Sequence, residues 1–258
     1  MVQVVRGALD RVCGCFPTGR HYPGIADRIA TSVAHVDGLV SELDPSSRWS
    51  DAPLVAIDFE TTGLQPESDR VIEVGAACFD HGTLSRLRQW LVNPGVPVSE
   101  EARKVHQIGD DELTQAPPFG HVLAELVPLL EGRVPVAYNA AFDRKFLQAE
   151  CRRAGFALAQ PPPALRSDVV WIDPLVWVRE LERDQAGNRL TEVCERMGIT
   201  LEQAHRAAGD AEAAGRVLLG LANRMPARYG ELIRLQGQYA VRQDVDFTAA
   251  RTRPKARS

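Results

Sequence analysis

The stretch Leu54-Val-Ala-Ile-Asp-Phe-Glu-Thr-Thr-Gly-Leu64 decides how the chain is read. Leu54 to Ile57 have the character of a buried strand interior. Asp58 and Glu60 then arrive two positions apart, on either side of Phe59. Side chains alternate faces along a strand, so the two acids project together. Carboxylates held that close repel, and either one keeps its proton or a cation lies between them. Magnesium or manganese is the natural cation, because hard ions take oxygen ligands from carboxylates and from substrate phosphates. Two solvated acids at an exposed strand end would give the same pattern. The cation reading therefore needs further acids elsewhere in the chain.

Outward from this strand, hydrophobic periodicity predicts strands at Val71–Phe79, Leu87–Val92, Val134–Asn139 and Val169–Ile172. Helical patterns fall near Glu100–Leu113, Phe119–Leu130, Phe142–Ala154, Leu190–Met197 and Asp210–Asn223. The short connection through His81-Gly82 makes the second and third strands antiparallel. Asp173-Pro174 reads as a helix N-cap followed by proline at the first helical position. Strands first and helices interleaved later indicate an α/β domain with a mixed sheet. The domain is expected over residues 51–225. Residues 1–50 read as an N-terminal extension with an amphipathic helix over Ile25–Leu43. Residues 226–258 read as one more helix, to about Val241, and a disordered basic tail, RTRPKARS.

Two further places carry acids. In Val136–Leu147 an apolar strand runs out at Asn139, and Asp143 falls in the first turn of the next helix. An acid there also suits the helix dipole. In Ala204–Leu221, His205 and Asp210 are five apart. On one continuous helix they would diverge by about 140° at ~3.6 residues per turn. They converge only if His205 precedes the helix and Asp210 lies in its opening turn, a boundary that Gly209 supports. A surface histidine and a capping aspartate are the bland alternative.

Taken together, D-x-E-T-T-G-L at Asp58–Leu64, N-x-x-F-D at Asn139–Asp143 and H-x4-D at His205–Asp210 resemble the three exonuclease motifs of the DnaQ-like, DEDDh family. The similarity spans about residues 54–225 and includes the proofreading epsilon subunit of bacterial DNA polymerase III among the family's members. It implies an RNase H-like fold, a mixed five-stranded sheet flanked by helices. It implies a 3′–5′ exonuclease, a phosphodiester hydrolase that releases nucleoside 5′-monophosphates from nucleic-acid 3′ ends. Asp58, Glu60, Asp143 and Asp210 would hold two ions, Mg2+ or Mn2+, and His205 would be the general base. The resemblance also sets Thr61, Thr62, Leu64, His106, Asn139 and Phe142 against the substrate. The bland readings are a turn at Thr61-Thr62-Gly63 and core packing for Leu64 and Phe142. Asp168 and Asp173 are not counted as ligands. The chain departs from the family at Tyr138, where many members have histidine, and at Gln107, where glycine is common. Both departures are expected to bear on substrate fit.

Bulk composition bounds the rest. The chain is 45% hydrophobic and 25% charged, with net charge −4 and pI near 5.9. That excludes a protein that coats nucleic acid electrostatically, and leaves one that grips a chain end. Five scattered cysteines argue against a disulfide framework and suit a reducing, cytoplasmic setting. No run approaches the ~20 apolar residues of a membrane span. DNA is the first expected polymer, in replication proofreading or repair; RNA or oligoribonucleotides are the alternative. A non-catalytic module that binds nucleic-acid ends or a polymerase is the alternative of another class. Expected partners are single-stranded 3′ ends and a separate DNA polymerase subunit. Gln243–Phe247, QDVDF, has a faint likeness to sliding-clamp-binding peptides, with Asp246 where those carry a large apolar residue.

Overall fold

The computed structural model describes residues 38–201 and 205–252. Three strands come first: β1 (Leu54–Thr61), β2 (Val71–Asp80) and β3 (Thr83–Leu91). Two short helices follow, α1 (Glu100–His106) and α2 (Asp110–Leu113), then α3 (Phe119–Leu130). The strand β4 (Val134–Val136) leads into α4 (Ala140–Arg153), and the chain continues through α5 (Pro174–Leu181), α6 (Leu190–Met197), α7 (Ala207–Gly220) and α8 (Tyr229–Thr252). Among the described residues the sheet has four strands in the order β3-β2-β1-β4. β1 and β2 are antiparallel, as are β2 and β3, while β1 and β4 are parallel.

The period-2 alternation of β1 sorts its side chains onto two helical layers. Val55, Ile57 and Phe59 join Val74, Ala76 and Cys78 of β2 in one buried cluster. That cluster packs on Phe119, Val122, Leu123 and Leu126 of α3 and on Phe146 and Leu147 of α4. The α3 residues recur at i, i+3, i+4 and i+7, which places them on one stripe. The opposite sheet face carries Asp58, Glu60, Glu73 and Gly75, and α7 packs there. A β-bulge between Glu60 and Thr61 ends the regular ladder beside the acids.

The predicted fifth strand, Val169–Ile172, is reduced to a single parallel bridge between Val136 and Ile172. Ile172 N donates to Pro135 O at 2.9 Å, and Ala137 N donates to Ile172 O at 3.1 Å. The next ladder bond would need an N–H from residue 135. Proline has none, so pairing stops there. The helix expected over Ile25–Leu43 falls largely outside the described residues. Its last part, 38–43, is turn and extended backbone, with Gly38 at φ 94. Gln107 is the C-cap of α1 with φ 60, the left-handed conformation that glycine takes most readily. Tyr138 Oη donates to Asn188 O at 2.6 Å and braces the loop before α6.

The stretches on either side of the expected domain pack on each other. Val40 N donates to Tyr229 Oη, Trp49 Nε1 donates to Pro226 O, and Tyr229 N donates to Ser47 O. Gln236 of α8 is buried and bonded three ways: it accepts from Asp173 N and Trp177 Nε1, and donates to Trp171 O. The stretch Gln243–Phe247 is helical within α8, and the Gln243 amide is taken by Val176 O at 3.0 Å. No helix among the described residues is long and apolar enough to cross a membrane.

One carboxylate starts two helices. Asp173 caps α5 by accepting from Leu175 N at 2.9 Å. The same group accepts from Asn139 N and Ala140 N, both at 3.0 Å, at the start of α4. Asn139 itself makes no side-chain cap. Asp173→Ala strands three N–H groups, and is expected to lower stability by about 1–3 kcal/mol in urea denaturation. Asp173→Asn should lose less, because its carbonyl oxygen still accepts.

Candidate active site

The acids of β1 stand where the strand leaves the core. Both are partly buried, on the face that α7 covers. Asp143 comes from the opening turn of α4 and is 2% exposed. It reaches the rim because β4 runs parallel to β1, so α4 starts at the same sheet end. Phe59 N donates to Asp143 Oδ1 at 3.1 Å, which fixes that carboxylate between the two β1 acids in sequence.

His205 lies two residues before α7 with φ 63, and Asp210 lies in the first turn of that helix. Their convergence requires this boundary, and the boundary falls at Arg206 rather than Gly209. His205 N donates to Asp210 Oδ2 at 3.2 Å. Asp210 Oδ1 is buried with no hydrogen-bond partner. One ligand-type atom from each of Glu60, His205 and Asp210 lies within 4.8 Å of the others.

Electrostatics records the crowding. Burial first, then repulsion from Asp210 and Glu73, holds the Asp58 carboxyl well above its ordinary range. Burial and then Asp58 do the same to Asp143. Glu60 is pushed up to about 9 by burial, then by Asp58, Asp210 and Glu73. Asp210 is raised to about 6 by burial, against the His205 imidazole and its N–H. Four acids that resist ionisation together are a site lacking positive charge.

The expected substrate contacts divide. Leu64 is 77% exposed at the tip of the β1–β2 turn, and Asn139 is exposed at the mouth of α4. Phe142 is half-buried, its ring 4.8 Å from that of Phe146. Thr61 and Thr62 are buried and build the turn: Thr61 Oγ1 donates to Gly63 O, and Thr62 N donates to Arg70 O. His106 is 4% exposed, and its Nδ1 accepts from Ile108 N at 3.0 Å. Burial lowers its pKa.

Sequence reasoning passed over Glu73, Gly75 and Arg206. Glu73 and Gly75 sit inside the apolar run Val71-Ile-Glu-Val-Gly-Ala-Ala77, and an acid and a glycine in mid-strand were the signal. A Cβ on Gly75 would lie 2.0 Å from Ala207 O, so only glycine lets α7 close on the sheet beside Asp58.

Residues 55–218 match the RNase T family model, whose description is exonuclease. The chain belongs to this exonuclease family. The PolC-type DNA polymerase III of Thermotoga maritima is 28% identical over 218 residues, which is 84% of this chain. The chain spans 15% of that relative's length. Among solved structures, E. coli Exonuclease I in complex with a dT13 oligonucleotide aligns with TM-score 0.58 at 19% identity, over 67% of this chain and 41% of that one. The nuclease domain of 3′hExo, a DEDDh family member bound to rAMP, aligns with TM-score 0.56 at 18% identity, over 67% of this chain and 92% of that one. These two likenesses speak to the fold. The family implies divalent metal ions, and the donor set fits: all-oxygen carboxylates, one orphaned buried oxygen at Asp210, and an imidazole in reach.

The raised carboxyl groups bind protons more tightly folded than unfolded. Stability of the metal-free protein therefore falls as pH rises above the ordinary carboxylate range of ~4, through about 6 for Asp210 and about 9 for Glu60. In EDTA, Tm should decline from pH 5 to pH 9. Added Mg2+ or Mn2+ should raise Tm more at pH 8 than at pH 5. A flat profile would contradict the crowded, uncompensated cluster.

Proposed function

We propose that this exonuclease removes nucleotides one at a time from the 3′ ends of single-stranded DNA, in proofreading or repair. In this reading Asp58, Glu60, Asp143 and Asp210 hold two ions, magnesium or manganese. The observation that carries it is the approach of Glu60, His205 and Asp210 to within 4.8 Å beside the mutually repelling Asp58 and Asp143. When bound, such ions supply Lewis acidity that activates water and neutralises charge on the reacting phosphate.

The chain's own groups do the rest. His205 is exposed, so water and substrate reach its imidazole, and it accepts the proton of the attacking water as general base. Water oxygen bonds to phosphorus, the 3′ oxygen leaves with the shortened chain, and a nucleoside 5′-monophosphate is released. Asp210 holds the His205 backbone in place through its N–H. Leu64 stands clear of the turn with its apolar side chain free to rest on the terminal base, and Phe142 offers a ring edge beside Asp143 for the ribose or base. In this reading Asn139, Thr61, Thr62 and His106 also contact the substrate end, the two threonines through their backbone. The DNA assignment is supported by relatives named as DNA polymerase III and by a neighbour solved with a DNA oligonucleotide. A DNA polymerase then supplies the 3′ end. The neighbour bound to rAMP keeps RNA as the second substrate class.

Matched 5′-labelled DNA and RNA oligomers test the reading. Wild type should shorten DNA stepwise in Mg2+ and stop in EDTA. Preference for RNA would move the assignment to exoribonuclease, and no EDTA-sensitive hydrolysis of either would leave a binding module. Asp58→Ala and Asp210→Asn should abolish turnover with the fold intact by circular dichroism. His205→Ala should lose about 10²–10⁴ in rate while still binding Mn2+. Loss of Mn2+ binding instead would make His205 a ligand, which its distance to Glu60 and Asp210 also permits.

A further inference from the structure

His205 and Asp210 come from the far end of the chain, and what ties them to the sheet is on β2. Glu73 is fully buried and is the cross-strand neighbour of Glu60. Its Oε1 accepts from Arg206 Nε at 2.9 Å and from Gln89 Nε2 at 2.7 Å. Arg206 Nη2 donates to the same oxygen. Its Oε2 accepts from Ala207 N at 2.8 Å. Arg206 follows His205 directly and is the N-cap residue of α7, and Ala207 is that helix's first residue. One buried carboxylate thus grips the residue that separates the base from the helix carrying Asp210, and the first residue of that helix. The left-handed backbone of His205 is uncommon for a residue with a side chain, and persists only where the surroundings hold it.

We propose that Glu73 and Arg206 are positioning residues of the exonuclease, a clamp between a half-exposed guanidinium fork and a buried carboxylate that sets His205 and Asp210 against Asp58 and Glu60. The proposal rests on the assignment of those four residues and Asp143 to the site. A planar guanidinium suits the task, because two donors on one carboxylate fix orientation as well as distance.

Mn2+ titration of Arg206→Met, by calorimetry or electron paramagnetic resonance, separates a clamp from a charge. Removing a cation beside acids would, by Coulomb interaction alone, leave Mn2+ affinity unchanged or raise it. Loss of the clamp lowers it, by about 10–100-fold, the usual effect of removing a group that orients ligands. In steady state, kcat on DNA should fall by a similar factor with KM little changed. Arg206→Lys keeps the charge without the fork and should fall between. Glu73→Gln with Arg206→Met should lose little more than the worse single variant, since both act through one contact. If Arg206→Met fails to fold by circular dichroism, Arg206→Lys carries the same measurements. Unchanged or tighter Mn2+ binding in the folded variants overturns the clamp, as do additive losses. Wild type inert on DNA would sink the functional reading alone, because the sign of the Mn2+ change still decides the clamp.

Discussion

Like-charge repulsion at one rim of the sheet is the constraint on which the rest depends. Asp58, Glu60, Asp143 and Asp210 come from three elements, and each is raised by burial and by its neighbours. Left free, such groups would turn to solvent. The fold prevents this with backbone donors aimed at the acids: Phe59 N at Asp143 and His205 N at Asp210. Phe59 lies between Asp58 and Glu60 in sequence, so holding Asp143 also orients those two acids, and the bond to Asp210 holds the His205 backbone. The instability is local and is offset by the apolar layer of β1, β2, α3 and α4 behind it.

Close approach of backbone to backbone is the second requirement. Gly75 admits the start of α7 onto the sheet, and Gly215 admits its middle, where a Cβ would lie 2.2 Å from the Phe79 ring. Two glycines thus set how deep α7 lies. With the depth set, the polar contacts at the helix start decide its rotation and tilt. Packing and ion pairing therefore act on different degrees of freedom of the same helix.

The five candidate site residues were legible because each stands at a fixed offset from an element boundary. Asp58 and Glu60 share a strand face, Asp143 opens a helix, and His205 and Asp210 straddle a helix start. Residue type and spacing carry that information locally. Glu73 was not legible in the same way: its partner Arg206 is 133 residues away, and nothing near either residue announces the other. The missing fifth strand depended on which side of β4 the Pro135 nitrogen faces, a question of register that a run of apolar residues does not answer. The boundary near residue 225 came from a proline. What lies beyond it was decided by a buried glutamine whose three partners are far away in sequence.

That glutamine has a consequence for where the folding unit ends. The family match stops at residue 218, before α8 begins. Without Gln236, the Trp171 carbonyl, the Asp173 N–H and the Trp177 indole would face a hollow with no partner. Asp173 is also the group on which α4, and with it Asp143, is anchored. The smallest autonomous fragment is therefore longer than the catalytic homology. It has to run at least through Gln236, and a truncation drawn at the homology boundary would loosen the rim from behind.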